Sequence, residues 1–180
     1  MKKKISWKEL TTRNGYPADE VISALQKEIR RNNQDKAVYW AYELCISGKV
    51  FETKFWERII TISVEDIGFG NPLAVVIVNS LKNSYYSEFE HQDDSLIQAL
   101  FAAAYLASCT KDRYIDEYKN YLKESKIKLE VPDYALDKHT KRGKTLGRDD
   151  KHFWTVAAKL SPELAKRNKK YLKLVLKSLK

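Results

Sequence analysis

The stretch Trp56-Glu-Arg-Ile-Ile-Thr-Ile-Ser-Val-Glu-Asp-Ile-Gly-Phe-Gly-Asn-Pro72 joins the end of one apolar segment to the start of another through two acids and two glycines. Phe55, Trp56, Ile59, Ile60 and Ile62 recur at helical spacing, so the first part reads as a helix ending near Asp66-Ile67-Gly68. Asn71 then stands as an N-cap before Pro72 at the first helical position, opening the run Leu73, Val75, Val76, Ile77, Val78 and Leu81. That run is apolar nearly all round, which predicts a helix in the middle of the protein. The β-branched Val75 to Val78 also admits a buried strand, but the cap chemistry favours the helix.

The flanks repeat the helical pattern. Upstream, Pro17 and the acids Asp19 and Glu20 open a segment in which Val21, Leu25 and Ile29 share one face, predicting a helix over 17–31. Ala37, Trp40, Ala41, Leu44 and Cys45 form a stripe that stops at Gly48, a natural helix end. Downstream, a helix is expected from Asp93-Asp94 through Leu96, Ala99, Leu100, Ala103 and Leu106, its alanines allowing close approach of a neighbour. Another is expected over 110–125, capped by Thr110 and carrying Tyr114, Ile115, Tyr118, Tyr121 and Leu122. From Ser125 to Asp150 the periodicity breaks into a long charged loop with at most a short helix near 133–141. A short helix around Phe153–Leu160 and a final one from Ser161-Pro162-Glu163 complete an all-α reading.

Composition agrees with one globular body of 180 residues rather than a disordered chain, with 43% hydrophobic residues, 4 Trp, 11 Tyr and 6 Phe. Only 6 Gly and 4 Pro argue against a many-stranded β fold. No apolar stretch is long enough to span a bilayer, and the start MKKKISWKEL lacks a signal-peptide core. Cys45 and Cys109 sit in apolar helical runs, which fits a reduced, cytoplasmic setting. The organisation expected is a basic arm over 1–16, a helical core over 17–127, and a basic loop with C-terminal helices packed on that core over 128–180.

The net charge of +9 is uneven. Residues 1–90 carry 13 Lys and Arg against 12 Asp and Glu, whereas residues 91–180 carry 20 against 12. Such a skewed surface attracts phosphate backbones or acidic partners, or simply keeps the protein in solution. The segment Asp137–Arg148 concentrates the excess: Lys138, Lys141, Arg142, Lys144 and Arg148 stand with His139, Thr140 and two glycines. These are candidates for contact with nucleic acid (DNA or RNA) or a protein partner. The last helix adds Lys166, Arg167, Lys169, Lys170, Lys173, Lys177 and Lys180 around Leu172, Val175, Leu176 and Leu179.

Chemistry-bearing motifs are sparse. Gly143-Lys144-Thr145 ends like a phosphate-binding loop, but Lys138 stands where the first glycine belongs and no buried strand precedes it. His91, His139 and His152 are scattered, no metal set is formed, and no cofactor is expected. Glu65 and Asp66 are an adjacent acid pair that could serve as a general base or metal ligand. Alternatively they satisfy free N–H groups at the start of the following helix.

The run Lys36-Ala-Val-Tyr-Trp-Ala-Tyr-Glu-Leu44, followed by the stretch quoted above, resembles the C-terminal region of the RarA-type (MgsA) replication-associated recombination ATPases, relatives of clamp loaders. The corresponding family pattern is A-x-Y-W, then A-S-E-D-I-G-x-x-x-P. Gln98 to Ala107 looks like the family's next alanine-rich helix, and the likeness covers roughly residues 33–125. It implies an orthogonal helical bundle of collar type that drives tetramer formation, with Trp40, Glu65, Asp66, Gly68 and Pro72 as structural residues of the motif. Val64 departs from the family's usual serine. The ATPase and lid domains lie outside these residues, so ATP hydrolysis is not carried over. The D-x-H-T-x-x-G-x-x-x-G-R form of 137–148 is similar to that of stand-alone relatives. The function expected is therefore a non-enzymatic assembly module, a homo-oligomer or part of a DNA replication or repair assembly. The alternative is a phosphate- or nucleotide-handling enzyme built on the basic loop.

Overall fold

The computed structural model describes residues 6–87 and 92–179, and among these it contains helices and turns but no β-sheet. His91 and Lys180 lie outside the described residues. The chain divides into two compact units after Ser125.

The first unit holds six helices among its described residues: α1 (Ala18–Arg30), α2 (Gln34–Ile46), α3 (Lys49–Ile62), α4 (Ala74–Ser87), α5 (Gln92–Ser108) and α6 (Tyr114–Ser125). α5 packs against α1, α2 and α4. Ala99, Ala102, Ala103 and Ala107 on α5 and Ala37 and Ala41 on α2 are fully buried, and their small side chains let helix axes come close. The spacing read on α1 is the buried one, with Ala18, Val21, Leu25 and Ile29 all inside. α3 supplies the bulk of the core through Phe55, Trp56, Ile59 and Ile62, each worth about 1.5–3 kcal/mol of burial.

Two expectations need correction. α4 is a helix but not a central one: Ala74, Val78 and Tyr85 are buried, while Leu73 and Val76 are 65% and 62% exposed. It is covered by α5, by the turn over Ser63–Ile67 and by α3, so a helix apolar on all sides shows one side to solvent. The cap of α6 is not Thr110; Asp112 Oδ1 accepts the Tyr114 N–H at 2.9 Å. Within the segment read as a basic arm, the described residues 6–16 make contacts of their own. Trp7 packs edge-on against Phe51 at 5.8 Å, and a tight turn over 11–17 is pinned to α2.

That pin is a buried carboxylate. Glu43, 1% exposed in the middle of α2, accepts the Asn14 N–H at 3.0 Å and Asn14 Nδ2 at 2.6 Å. Burial alone would raise its pKa, but bonds from the Thr12 hydroxyl and from Asn14 outweigh that and hold it below the ordinary value.

The second unit is built from short pieces: a 3-10 turn at Asp133–Ala135, α7 (Lys141–Thr145), α8 (Asp150–His152) continued by a π-turn over Phe153–Ala157, and α9 (Lys170–Ser178). The expected final helix begins later than Ser161 because the preceding segment folds on Glu163, which accepts Arg167 Nη1 at 2.5 Å and meets Lys169 Nζ at 2.6 Å. Among the described residues no helix is long and apolar enough to cross a membrane.

Candidate functional site

The acid pair forms the hub of an ion-pair network in the first unit. After α3 the backbone widens into a π-turn over Ser63–Ile67, which carries Asp66 fully inside and leaves Glu65 partly exposed. Arg30 Nε donates to Asp66 Oδ1 at 2.5 Å, and Arg30 Nη2 donates to Glu65 Oε1 at 3.1 Å. Gln26 Nε2 donates to both acids, at 2.7 Å and 3.0 Å, while its Oε1 accepts Arg58 Nη2 at 2.6 Å. Arg113 Nε lies 3.3 Å from Asp66 Oδ1 as an ion pair without hydrogen-bond alignment. Its Nη2 donates to Asp116 at 2.6 Å, which Lys119 also contacts.

Burial opposes the Arg113 charge, yet Asp116 and the hub acids together raise its pKa. Lys119 and Arg113 hold the Asp116 carboxyl below the usual range. The acids therefore do not sit on free N–H groups, as one sequence reading had it; they bind guanidinium and amide groups from α1 and from the start of α6.

The glycines of the same motif serve a close backbone approach. Asp112 N–H donates to the carbonyls of Asp66 and Ile67 at 3.0 and 3.1 Å. A Cβ on Gly68 would lie 2.5 Å from the Asp112 oxygen, and one on Gly70 would lie 2.4 Å from the Thr110 oxygen. Gly68 also has φ +49°, a conformation that side chains resist. Trp40 packs edge-on against Tyr16 and Tyr39, and Val64, at the family's serine position, is half exposed.

In the second unit, the 137–148 segment folds on itself. Asp137 accepts His139 N–H at 2.9 Å and pairs with His139 Nδ1 at 3.0 Å, which lowers its pKa. Thr140 caps α7 through the Gly143 N–H at 2.9 Å. Gly143 is buried against the Asp137 carbonyl, where an added Cβ would fall at 1.8 Å. Arg148 Nη2 reaches both oxygens of Asp133 at 3.0 and 3.1 Å. Lys138 pairs with Asp150 and lies 5.4 Å from the Phe153 ring centre, whose edge His139 meets.

Of the six basic-loop candidates, Lys138, His139 and Arg148 are thus engaged within the turn. Lys141, Arg142 and Lys144 are exposed and form no ion pair among the described residues. The Gly143 amide, spent on Thr140, does not form a phosphate-binding loop. Sequence reasoning missed Glu43, Gln26, Arg30 and Arg113; only the periodicity break at Glu43 on an otherwise apolar face could have pointed to one of them.

The described residues thus form an all-helical body whose first unit holds a buried acid hub. The family model for the MgsA AAA+ ATPase C-terminal region matches residues 32–168, and the chain belongs to that family. No curated protein matches it. The match runs through the two hub acids, Arg58, Arg113, the glycines and most of the second unit, and begins after Gln26 and Arg30.

Proposed function

We propose that this chain is a non-enzymatic assembly module that associates with other macromolecules rather than transforming a small molecule. The observation that carries this reading is α6. Its only buried side chain is Asp116, so the helix is held by its polar side and displays Tyr114, Ile115, Tyr118, Tyr121 and Leu122, 42–58% exposed. A helix inverted in this way supports association, because an exposed apolar stripe is stabilised by a partner that covers it. Sedimentation of the whole chain across a wide concentration range tests this, with a mass above the monomer as the expected result.

Nucleic-acid binding by the second unit is a further reading, favoured by the exposed, unpaired Lys141, Arg142 and Lys144 on α7. Affinity for a DNA or RNA duplex should fall steeply with salt. In the triple alanine variant the slope of log affinity against log salt should shrink by up to about 3, at roughly 0.9 per phosphate contact. An unchanged slope removes this reading and leaves the assembly reading standing.

A further inference from the structure

Arg58 differs from the other arginines around the hub. Arg30 and Arg113 reach acids, whereas the Arg58 guanidinium donates from Nη2 to the neutral Gln26 Oε1 at 2.6 Å. Its Nε is buried without a hydrogen-bond partner, and it forms no ion pair among the described residues. A guanidinium left in this way is short of an anion. Arg58 lines a hollow of about 320 Å³ whose walls come from α1, α3 and Trp7.

An unspent charge of the opposite sign lines the same hollow. Asp19, in the first turn of α1, accepts the Glu20 N–H at 3.0 Å and likewise forms no ion pair among the described residues. The cation and the anion thus share a small space without meeting. Trp7 and Ile22 give the hollow its apolar walls. Lys54, which also lines it, is already held by Glu57 at 3.2 Å, with its ammonium 5.3 Å from the Trp7 ring centre.

We infer that this hollow binds a free α-amino acid with an apolar side chain. The ligand's carboxylate accepts from Arg58, its ammonium donates to Asp19, and its side chain lies against Trp7 and Ile22. A simple anion would satisfy Arg58 but face the Asp19 carboxylate, and a simple amine would meet the reverse. A ligand with both charges close together answers both through charge-assisted hydrogen bonds. In a free amino acid the two charges flank one carbon, whereas within a peptide at least one of them is lost to the amide bond. The volume lies at the small end of the range for ligand pockets, about 300–1,000 Å³, as a ligand of this size requires. This inference is independent of the assembly reading, because the hollow involves neither α6 nor the second unit.

The whole chain is titrated with L-phenylalanine, with phenylpropanoate, which lacks the ammonium, and with phenylethylamine, which lacks the carboxylate. Binding is followed by NMR through the Trp7 indole N–H and the backbone amides. L-phenylalanine should give saturable shifts at Trp7 and within residues 19–26 and 54–58. The two single-charge probes should bind about 10-fold more weakly or worse, the loss of one hydrogen bond between charged groups. Arg58→Gln and Asp19→Asn should each weaken L-phenylalanine by a similar factor. In Asp19→Asn, L-phenylalanine and phenylpropanoate should bind alike, a result that a merely loosened fold would not give. L-phenylalanine that produces no saturable shift, or shifts centred on other residues, overturns the inference. Equal binding of all three probes to the native chain, or full binding by both variants, overturns it as well.

Discussion

Two buried carboxylates do different work, and substitution separates them. Asp66 stands between Arg30, Gln26 and Arg113, so Asp66→Asn keeps the shape but leaves two guanidinium groups without their common counter-charge. The expected loss is about 3 kcal/mol by denaturant unfolding, the low end for a broken buried pair because both arginines keep some solvent. Glu65→Gln should cost less, since Glu65 is partly exposed.

Glu43 ties the 11–17 turn to α2, and Glu43→Gln should cost about 1–3 kcal/mol. Its folded pKa lies below the ordinary 4.5, so its contribution is complete above that value and is lost as pH falls through the lower folded one. Unfolding measured between pH 6 and pH 3 should show this decline in the native chain and a shallower one in the glutamine variant.

At the scale of elements, the helices were legible because their apolar spacing is long and regular, as in α1, where every residue read as inward is buried. The break at Asp66-Ile67-Gly68 was legible for the same reason. What periodicity could not carry was the identity of partners across the chain. Nothing near Asp66 in sequence announces Arg30 or Gln26, and the glycines of 68–70 have their reason at 110–112. Exposure escaped as well, because an apolar run such as α4 reads alike whether neighbours cover one side or all.

The basic loop reads as flexible from its glycines, yet Gly143 is its most confined residue. Gly143→Ala, placing a methyl group 1.8 Å from the Asp137 carbonyl, should abolish α7. Hydrogen exchange over 140–148 would then rise to the unprotected rate while the first unit stays protected.

For the whole molecule, the distribution of buried apolar side chains is lopsided. Leu136 is the one such residue found after Ser125, and all others described belong to the first unit. Residues 1–125 alone should therefore melt cooperatively, at close to the temperature of the full chain. Trypsin should first cut the full chain at Lys126 or Lys128, in the extended stretch where the units divide. A fragment 1–125 without a cooperative melt would show that the core depends on residues beyond it.

The narrow passage between Gly70 and Thr110 also bears on how such sequences diverge. A single methyl group at position 70 collides with a backbone atom that no side-chain change can remove, so the two segments drift together or not at all. In this chain the glycine at 70 therefore ties the entry to α6, and with it the arginine that reaches Asp66, to the segment that follows the acid pair.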